Sequence, residues 1–334
     1  MKIRNNNILI TGGNGFLGIN LIKRFINSDV EKIRVVDNLE RSSLNRFLIE
    51  NKNVEFIKCD LSDNKAVDKI CKDIDIVFHC ASKVGSISYY ADNPSLVYNH
   101  NVNIDLNIIN AAKNSHVMCF VYMSSAFIYP FSRMQDPYGI PIKETESIPA
   151  NPLNAYGWAK LCGEKALDYA VKQSKDLRGV IFRLSNFFGP NQNTDLKRGS
   201  IIPVLIRKII EYPSMKPLQV YGDGYETRTY CHVKDIIDAL LIAINKTKGR
   251  KLVGPLNIGS EEVITIKELT SKIVSVSGKK IEIERLDSPE PLLKSMTLNC
   301  DRARKELDGW KPKITLQEGL EKMYELLSVE RPWI

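Results

Sequence analysis

The sequence has no apolar stretch long enough to cross a membrane. A transmembrane helix needs about 20 consecutive apolar residues, and every apolar run in this chain is much shorter. The polar residues 1–7 lead directly into a short apolar segment, which does not match the charged, apolar and small-residue regions of a secretion signal. We therefore expect no membrane partner and a cytoplasmic location.

Cysteine and histidine patterns that are typical of metal sites and disulfide frameworks are also missing. The seven cysteines are widely spaced and form no CxxC pair, and the four histidines form no HxxxH or HxH pair. Several cysteines lie inside apolar segments. Buried free thiols in a reducing compartment explain them better than disulfides or zinc, and we expect no metal ion.

The excess of positive charge is spread along the chain. Its 47 Lys and Arg residues outnumber 39 Asp and Glu residues, which gives a net charge of +8. No arm of consecutive basic residues occurs, and the predicted helices that carry Lys and Arg also carry Glu and Asp. We therefore expect no nucleic-acid partner, whereas a phosphorylated small molecule could use a few of the basic residues.

The first 185 residues alternate short apolar runs with amphipathic stretches, the pattern of a parallel sheet covered by helices. The predicted strands are 7–11, 32–36, 54–58, 74–79, 119–124 and 179–184, and the predicted helices are 15–28, 63–72, 94–114 and 155–174. This alternation predicts an α/β fold with a doubly wound parallel sheet, which binds ligands at the carboxyl ends of its strands.

After residue 185 the alternation ends. Gly, Pro, Asn and Asp cluster at 189–199 and 212–224, and isolated helices are predicted at 201–212, 233–245, 266–277 and 316–327. We expect residues 1–185 to form the sheet domain, with a return segment near 225–260. Residues 186–224 and 260–334 would then form a smaller mixed α/β lobe.

A glycine-rich turn follows the first predicted strand. Residues 11–18 read TGGNGFLG, so Gly12, Gly15 and Gly18 satisfy a GxxGxxG spacing between a strand and a helix. Such glycines let the backbone approach a pyrophosphate at the helix N-terminus, where amide groups favour anions. Asp37 ends the second strand, where a carboxylate accepts hydrogen bonds from ribose hydroxyls and repels a 2′-phosphate. The pattern predicts a Rossmann domain that binds NAD.

Residues after other predicted strands also bear on the cofactor. Asp60 and Leu61 follow the third strand. Asp60 is placed to hydrogen-bond an adenine and is equally well placed to cap the next helix, as is Asp63. Arg41 and Arg46 keep NADP open as an alternative to NAD.

Tyr156 and Lys160 lie four residues apart, on one face of a predicted helix. A tyrosine normally keeps its proton to about pH 10. A nearby ammonium group and a positive nicotinamide ring favour the phenolate, which lets Tyr156 act as a base near neutral pH. Ser124 and Ser125 end the fifth strand and supply hydroxyls for a substrate oxygen. A YxxxK spacing alone is common in helices, but downstream of a dinucleotide turn it predicts catalysis.

These motifs together resemble those of extended short-chain dehydrogenases/reductases, and in particular the NAD-dependent epimerases and dehydratases that modify nucleotide sugars. The resemblance rests on residues 11–18, 37–39, 60–61, 79–82, 101–102, 124–129 and 156–160, and it continues through 183–190, 220–228 and 256–259. It implies NAD as the cofactor and a nucleotide sugar as the substrate. It also implies a homodimer that pairs through the two long helices 94–114 and 155–174.

The resemblance further implies roles for individual residues. Ser125, Tyr156 and Lys160 would form the catalytic triad. Asn186 and Arg228 would hold the substrate diphosphate, which suits an amide and a guanidinium, and Ser125 and Ser86 would also contact the substrate. The cofactor-binding residues would be Gly12, Gly15, Phe16, Leu17, Gly18, Asp37, Asn38, Asp60, Leu61, Ala81, Lys83, Asn101, Ser124, Tyr156 and Lys160.

The residue two positions after Ser125 bears on the reaction. The family's dehydratases and decarboxylases have a glutamate there, and its GDP-fucose synthases and GDP-mannose 3,5-epimerases have a cysteine; each moves a proton on the sugar ring. This chain has Phe127, which cannot carry a proton, and its later loop 198–203 contains no His or Lys. We therefore expect a 4-epimerase, in which C4 is oxidised, the 4-keto sugar rotates, and hydride returns to its other face.

Several alternatives stay open at this point. A 4-keto-sugar reductase would use the same residues but consume NADH or NADPH. Segments 82–87 and 126–130 look closer to the GDP-sugar branch, so both UDP- and GDP-hexoses are compatible with the sequence. A thiol from Cys80 or Cys231 would permit 3,5-epimerase or dehydratase chemistry. A non-catalytic NAD-binding role is disfavoured because the catalytic triad is intact.

Overall fold

The computed structural model describes residues 3–41, 45, 48, 50–85, 87–136, 139–196, 198–215, 217–287 and 293–333. The strands are β1 (Asn7–Thr11), β2 (Lys32–Asp37), β3 (Val54–Lys58), β4 (Ile76–His79), β5 (Cys119–Ser125), β6 (Arg178–Leu184), β7 (Asn186–Phe188), β8 (Leu218–Tyr221), β9 (Thr227–His232), β10 (Leu252–Ile258), β11 (Val263–Thr265), β12 (Ile283–Leu286) and β13 (Ser295–Met296). The helices are α1 (Phe16–Phe25), α2 (Asn64–Ile70), α3 (Ile87–Asp92), α4 (Pro94–Asn114), α5 (Phe131–Met134), α6 (Ala155–Gln173), α7 (Ile201–Ile210), α8 (Val233–Lys246), α9 (Ile266–Ser277), α10 (Asp301–Glu306) and α11 (Leu316–Glu330).

The central sheet has seven parallel strands in the order β10-β6-β5-β4-β1-β2-β3. From β1 the chain moves outward through β2 and β3, and it then returns to form β4 on the other side of β1. The direction of the strand order therefore reverses between β1 and β4. At such a switch point the loops diverge and leave a crevice at the carboxyl ends of the strands. The predicted doubly wound α/β fold is confirmed.

The inner strands of this sheet are buried on both faces. Every residue of β4 and β5 is buried, which explains why their sequences are nearly continuous apolar runs and do not alternate. Helices α1 and α8 cover one face of the sheet, and α2, α4 and α6 cover the other. Within the described residues, no helix is long and apolar enough to cross a membrane.

The elements after β6 belong partly to the central sheet and partly to a smaller, separate group of strands and helices. Strand β10 returns to the central sheet beside β6. Strand β9 pairs with β7, β11 and β13, while β8 pairs with β12. Helices α7, α9 and α11 pack with these short strands around a separate apolar cluster. Helices α7, α8, α9 and α11 correspond to the predicted ones, whereas the short helix α10 and the short strands are not predicted from the sequence.

Candidate functional site

A cleft of about 890 Å³ opens at the carboxyl ends of β1, β2, β4 and β5, where the strand order reverses. Most of the site residues expected from the sequence line it. They are Gly12, Gly15, Phe16, Leu17, Gly18, Asp37, Asn38, Asp60, Leu61, Ala81, Lys83, Ser124, Ser125, Tyr156 and Lys160. Residues that are far apart in the chain therefore share one cleft, and its size suits a small-molecule ligand.

The glycine-rich turn is packed so closely that side chains would not fit. Gly12 has φ +62°, and a Cβ there would lie 2.6 Å from the backbone nitrogen of Ala81. A Cβ on Gly18 would lie 2.5 Å from the carbonyl oxygen of Gly12. Gly15 is the N-cap of α1, whose first turn contains no acidic residue. The turn thus presents backbone amides and the positive end of a helix to the cleft, a suitable cradle for a pyrophosphate.

Asp37 presents a fixed carboxylate beside this turn. Its Oδ2 accepts a hydrogen bond from the Asn14 amide at 3.0 Å, and its Oδ1 accepts one from the Leu39 amide at 2.8 Å. A carboxylate held in this way accepts hydrogen bonds from ribose hydroxyls and repels a ribose phosphate. Arg41 also lines the cleft, whereas Arg46 lies outside the described residues.

The structure separates the two roles that the sequence leaves open after β3. Asp63 is the N-cap of α2, and its side chain accepts hydrogen bonds from the amides of Lys65 and Ala66. Asp60 instead lines the cleft and accepts a hydrogen bond from the Ser62 amide at 2.9 Å. Asp63 therefore caps the helix, and Asp60 faces the ligand space.

Asn101 supports the cleft from behind. Its side chain is fully buried. Its oxygen accepts hydrogen bonds from the Ser82 hydroxyl and the Lys83 amide, and its nitrogen donates to the carbonyl oxygens of Lys83 and Val97. These four bonds engage both donor hydrogens and both acceptor positions of the Asn101 side chain with other groups of the protein. We therefore interpret Asn101 as a residue that shapes the loop after β4, and not as a direct cofactor ligand. Ser86 lies outside the described residues.

Tyr156 lies at the start of α6 in an aromatic environment. Its ring stacks on Tyr90 with centroids 5.2 Å apart, and the edge of Phe127 meets it at 6.2 Å. Burial raises the pKa of Tyr156 to about 12, although the hydroxyls of Ser125 and Ser82 oppose this rise. The phenol therefore needs a nearby positive charge to act as a base near neutral pH.

Lys160 supplies a positive charge one turn further along α6. Its side chain is almost fully buried and lines the same cleft. The ammonium lies 4.7 Å from the ring centroid of Tyr122, a cation–π contact. Ser125, Tyr156 and Lys160 thus line the same cleft.

A buried ion pair next to Ser124 is not predicted from the sequence. Glu164 and Arg183 are both buried and share two hydrogen bonds of 2.9 and 2.8 Å. Ser124 donates a hydrogen bond to Glu164 at 2.5 Å. Two features of the sequence could have indicated this pair: a glutamate on the apolar face of α6 and an arginine inside an apolar strand. Charged side chains are seldom buried unless they are paired.

The two residues expected to hold a diphosphate, Asn186 and Arg228, do not line the cleft and lie on the paired strands β7 and β9. The cleft reaches Ser185 and Phe187, the neighbours of Asn186. The Asn186 amide nitrogen is buried without a hydrogen-bond partner. Arg228 donates a hydrogen bond to the Thr227 carbonyl, and burial lowers its pKa. Among the described residues no carboxylate forms an ion pair with Arg228, so both groups have capacity left for an anion.

Comparisons with known proteins agree with this geometry. The chain matches the family model described as the NAD dependent epimerase/dehydratase family over residues 8–259. A GDP-mannose 3,5-epimerase of Arabidopsis thaliana is 28% identical over 328 residues, which cover 96% of this chain and 81% of that protein. A putative UDP-glucose 4-epimerase of Methanocaldococcus jannaschii is 30% identical over 323 residues, with 95% and 96% covered. The crystal structure of a Thermus thermophilus UDP-glucose 4-epimerase in complex with NAD has a TM-score of 0.81 at 25% identity and covers 96% of this chain and 98% of that one.

Proposed function

Because this chain belongs to the NAD-dependent epimerase/dehydratase family, it is an enzyme that uses NAD, and we propose that it is a nucleotide-sugar 4-epimerase. The resemblance drawn from its motifs is thereby confirmed at the level of the family.

The environment of Tyr156 is the observation that carries the proposal. Phe127 stands at the position where other reactions of the family need a proton carrier, and its ring packs edge-on against Tyr156. Burial raises the pKa of the Cys80 thiol to about 12 and that of Cys231 well above its ordinary value. Both thiols therefore stay protonated near neutral pH and are poor substitutes as bases. This favours oxidation and reduction at one carbon over proton exchange on the ring.

The cleft has the features that NAD requires. The glycine turn of Gly12, Gly15 and Gly18 would hold its pyrophosphate, and Asp37 would hold the adenosine ribose. Phe16, Leu17, Asn38, Asp60, Leu61, Ala81, Lys83 and Ser124 would complete the site. Bound in this cleft, NAD would supply reversible hydride transfer at C4 of the sugar.

Three residues would handle the C4 hydroxyl. Tyr156 removes its proton, and Ser125 donates a hydrogen bond to the same oxygen. Burial raises the pKa of Tyr156, and the Lys160 ammonium would oppose this rise by favouring the phenolate form. After the 4-keto sugar has turned its other face toward the cofactor, Tyr156 returns the proton to the C4 oxygen. This sequence inverts C4 without net consumption of the cofactor.

The substrate diphosphate would lie between Asn186 and Arg228. The unpartnered Asn186 amide nitrogen and the Arg228 guanidinium, which has no carboxylate partner among the described residues, provide the donors that a diphosphate accepts. We assign residues 1–185 to the cofactor, with the return segment near 225–260, and residues 186–224 and 260–334 to the substrate. The sugar is a hexose carried on UDP or GDP.

A homodimer is part of the proposal. Large apolar side chains are exposed along α4 and α6, which pack side by side: Leu96, Tyr98, Leu106, Trp158 and Tyr169. An exposed apolar surface of this kind is typical of an interface. Pairing of these helices around a two-fold axis would bury the same stripe on both copies.

Substitution of Tyr156 by Phe tests the assignment of the base. Loss of the phenolic oxygen removes the proton acceptor but leaves the cleft intact, so we expect turnover of the accepted UDP- or GDP-hexose to fall by about 10²–10⁴-fold while NAD stays bound. Near-normal turnover would contradict the proposal. Turnover that requires one NADH or NADPH per product would instead establish a 4-keto-sugar reductase, which uses the same residues.

A further inference from the structure

Asp105 is a buried carboxylate close to the catalytic residues that the proposed mechanism does not use. It lies in α4 and is fully buried. Its Oδ1 is 2.8 Å from Nε2 of His79, and its Oδ2 accepts a hydrogen bond from the Tyr122 hydroxyl. A buried charge is costly unless its surroundings compensate it. The groups around Asp105 therefore need to be accounted for.

His79 donates a hydrogen bond to Asp105 without cancelling its charge. Burial lowers the pKa of His79, and this effect exceeds the opposing effect of Asp105, so the ring is neutral near neutral pH. Nδ1 of His79 lies 2.7 Å from the Thr11 hydroxyl. The tautomer with its proton on Nε2 lets the ring donate to Asp105 and accept from Thr11. The negative charge then stays on Asp105.

Lys160 is the cation that balances this charge. Burial raises the pKa of Asp105, but the Lys160 charge and the hydrogen bonds from His79 and Tyr122 outweigh burial and hold the pKa below its ordinary value. In the part of the chain that is described, no carboxylate lies within ion-pair distance of the Lys160 ammonium. The two charges instead interact through the ring of Tyr122, which binds Asp105 through its hydroxyl and faces the ammonium at 4.7 Å.

We infer that Asp105 is a positioning residue of the catalytic site: it is the buried counter-charge of Lys160, it holds Tyr122 against the Lys160 ammonium, and it sets the pH at which Tyr156 accepts a proton. This inference rests on the proposed role of Tyr156 as the base. Gly163 makes the arrangement possible, because a Cβ there would lie 2.1 Å from the Tyr122 hydroxyl oxygen and 2.6 Å from Asp105 Oδ2.

The negative charge of Asp105 determines the direction in which it shifts the pKa of Tyr156. A negative charge near a phenol favours its protonated form, so Asp105 raises the pKa of Tyr156. Removal of the carboxylate takes this effect away and makes Tyr156 a base at lower pH. Among the described residues, the other ionisable groups that interact with Tyr156, Lys160 or Tyr122 are Tyr90 from α3, His79 and Cys80 from β4 and its end, and Glu164, which is paired with Arg183.

The substitution Asp105→Asn tests the inference. Asparagine can donate to His79 in the other tautomer and accept from Tyr122, so the network keeps its shape but loses its charge. We expect the acid limb of the kcat–pH profile to move to lower pH by about one unit. At a fixed pH on that limb the variant would then be faster than the wild type. A purely structural role for Asp105 would give slower turnover with no shift.

Two variants separate charge from structure. Tyr122→Phe removes the hydrogen bond but keeps the carboxylate and the ring, so the acid limb should stay in place. Asp235→Asn alters an equally buried carboxylate that accepts a hydrogen bond from the Ile314 amide in another part of the molecule, and it should leave the profile unchanged. A shift in Tyr122→Phe as large as that in Asp105→Asn would overturn the inference.

A spectroscopic titration makes the test independent of turnover. The tyrosinate absorbance of NAD-loaded protein is recorded against pH, with Tyr156→Phe as the blank, so that the difference reports Tyr156 alone. We expect its midpoint to fall in Asp105→Asn by the same amount as the acid limb. An unmoved midpoint would contradict the role of Asp105. Absence of turnover with every sugar, combined with a shifted midpoint, would contradict the proposed reaction and leave this inference standing.

Discussion

Gly163 shows how closely the residues around the catalytic group are packed. It lies in α6 one turn after Lys160, and the Tyr122 hydroxyl occupies the space where its side chain would be. Gly163→Ala should improve helix propensity by about 1 kcal/mol. The overpacking of a buried polar network should cost more, and we expect a net loss of about 1–2 kcal/mol in the free energy of unfolding. Urea denaturation of the apoprotein measures this loss.

Gly249→Ala is the matched control for that substitution. The atom nearest to a Cβ at Gly249 is the Lys246 carbonyl oxygen at 4.0 Å, so an alanine fits there. The free energy of unfolding of this variant should stay within about 0.5 kcal/mol of that of the wild type. Equal stability of the two alanine variants would show that the Tyr122–Asp105 contact is not packed against α6 as described.

Individual residues differ in how far the sequence predicts them. Tyr156 and Lys160 are predicted because they are four residues apart on a helix, a spacing that a single chain displays directly. Asp105 is not predicted, because its partners His79 and Tyr122 come from two different strands. Asn101 is assigned to the cofactor from resemblance, whereas the structure shows four hydrogen bonds to the chain itself. Contacts between residues of different strands form only in the folded chain, so the spacing of residues along the sequence does not predict them.

The loops after β2 and β4 meet across the cleft. Glu40 follows β2 and forms an ion pair with Lys83, which follows β4, and both residues line the cleft. These strands flank β1, so the pair spans the glycine turn between them. An ion pair in this place should slow the release of NAD. Glu40→Gln should therefore accelerate NAD dissociation by about two- to fivefold, the size expected for a partly exposed pair.

Stopped-flow fluorescence of NAD release measures this rate. Glu261→Gln is the control, because it removes an exposed ion pair with Arg304 that does not line the cleft, and its release rate should match that of the wild type. Added salt should accelerate release from the wild type and have less effect on Glu40→Gln. Equal release from Glu40→Gln and the wild type at low salt would show that the pair does not retain the cofactor.

Whole elements are predicted unevenly along the chain. Six of the seven strands of the central sheet are predicted, and in β4 and β5 burial on both faces produces unbroken apolar runs. Strand β10, which returns to this sheet from the later part of the chain, is not predicted. Strands β7, β11 and β13 contain only two or three residues. Such segments are too short for an alternating pattern, and their partners lie far away in the sequence. The sequence therefore predicts the cofactor cleft better than the small sheet that carries Asn186 and Arg228.

The exposed stripe on α4 and α6 makes a prediction for the whole molecule. Tyr169 in α6 is 60% exposed and belongs to the apolar surface that we assign to the dimer interface. Tyr169→Glu places a charge in that interface, and we expect light scattering to change from the mass of a dimer to that of a monomer. Val329→Glu, at an exposed position on α11, should leave the dimer intact. A monomeric wild type would refute the interface.

We propose that Phe127 excludes proton exchange on the sugar ring and leaves only redox chemistry at C4. The most direct measurement incubates the purified protein in D₂O, without added cofactor, with a panel of UDP-, GDP- and dTDP-hexoses, and analyses the products by NMR and mass spectrometry. We predict inversion at C4 of a UDP- or GDP-hexose with no deuterium at C3 or C5. Deuterium at either carbon, or loss of water from the sugar, would contradict this account and show that another residue moves that proton.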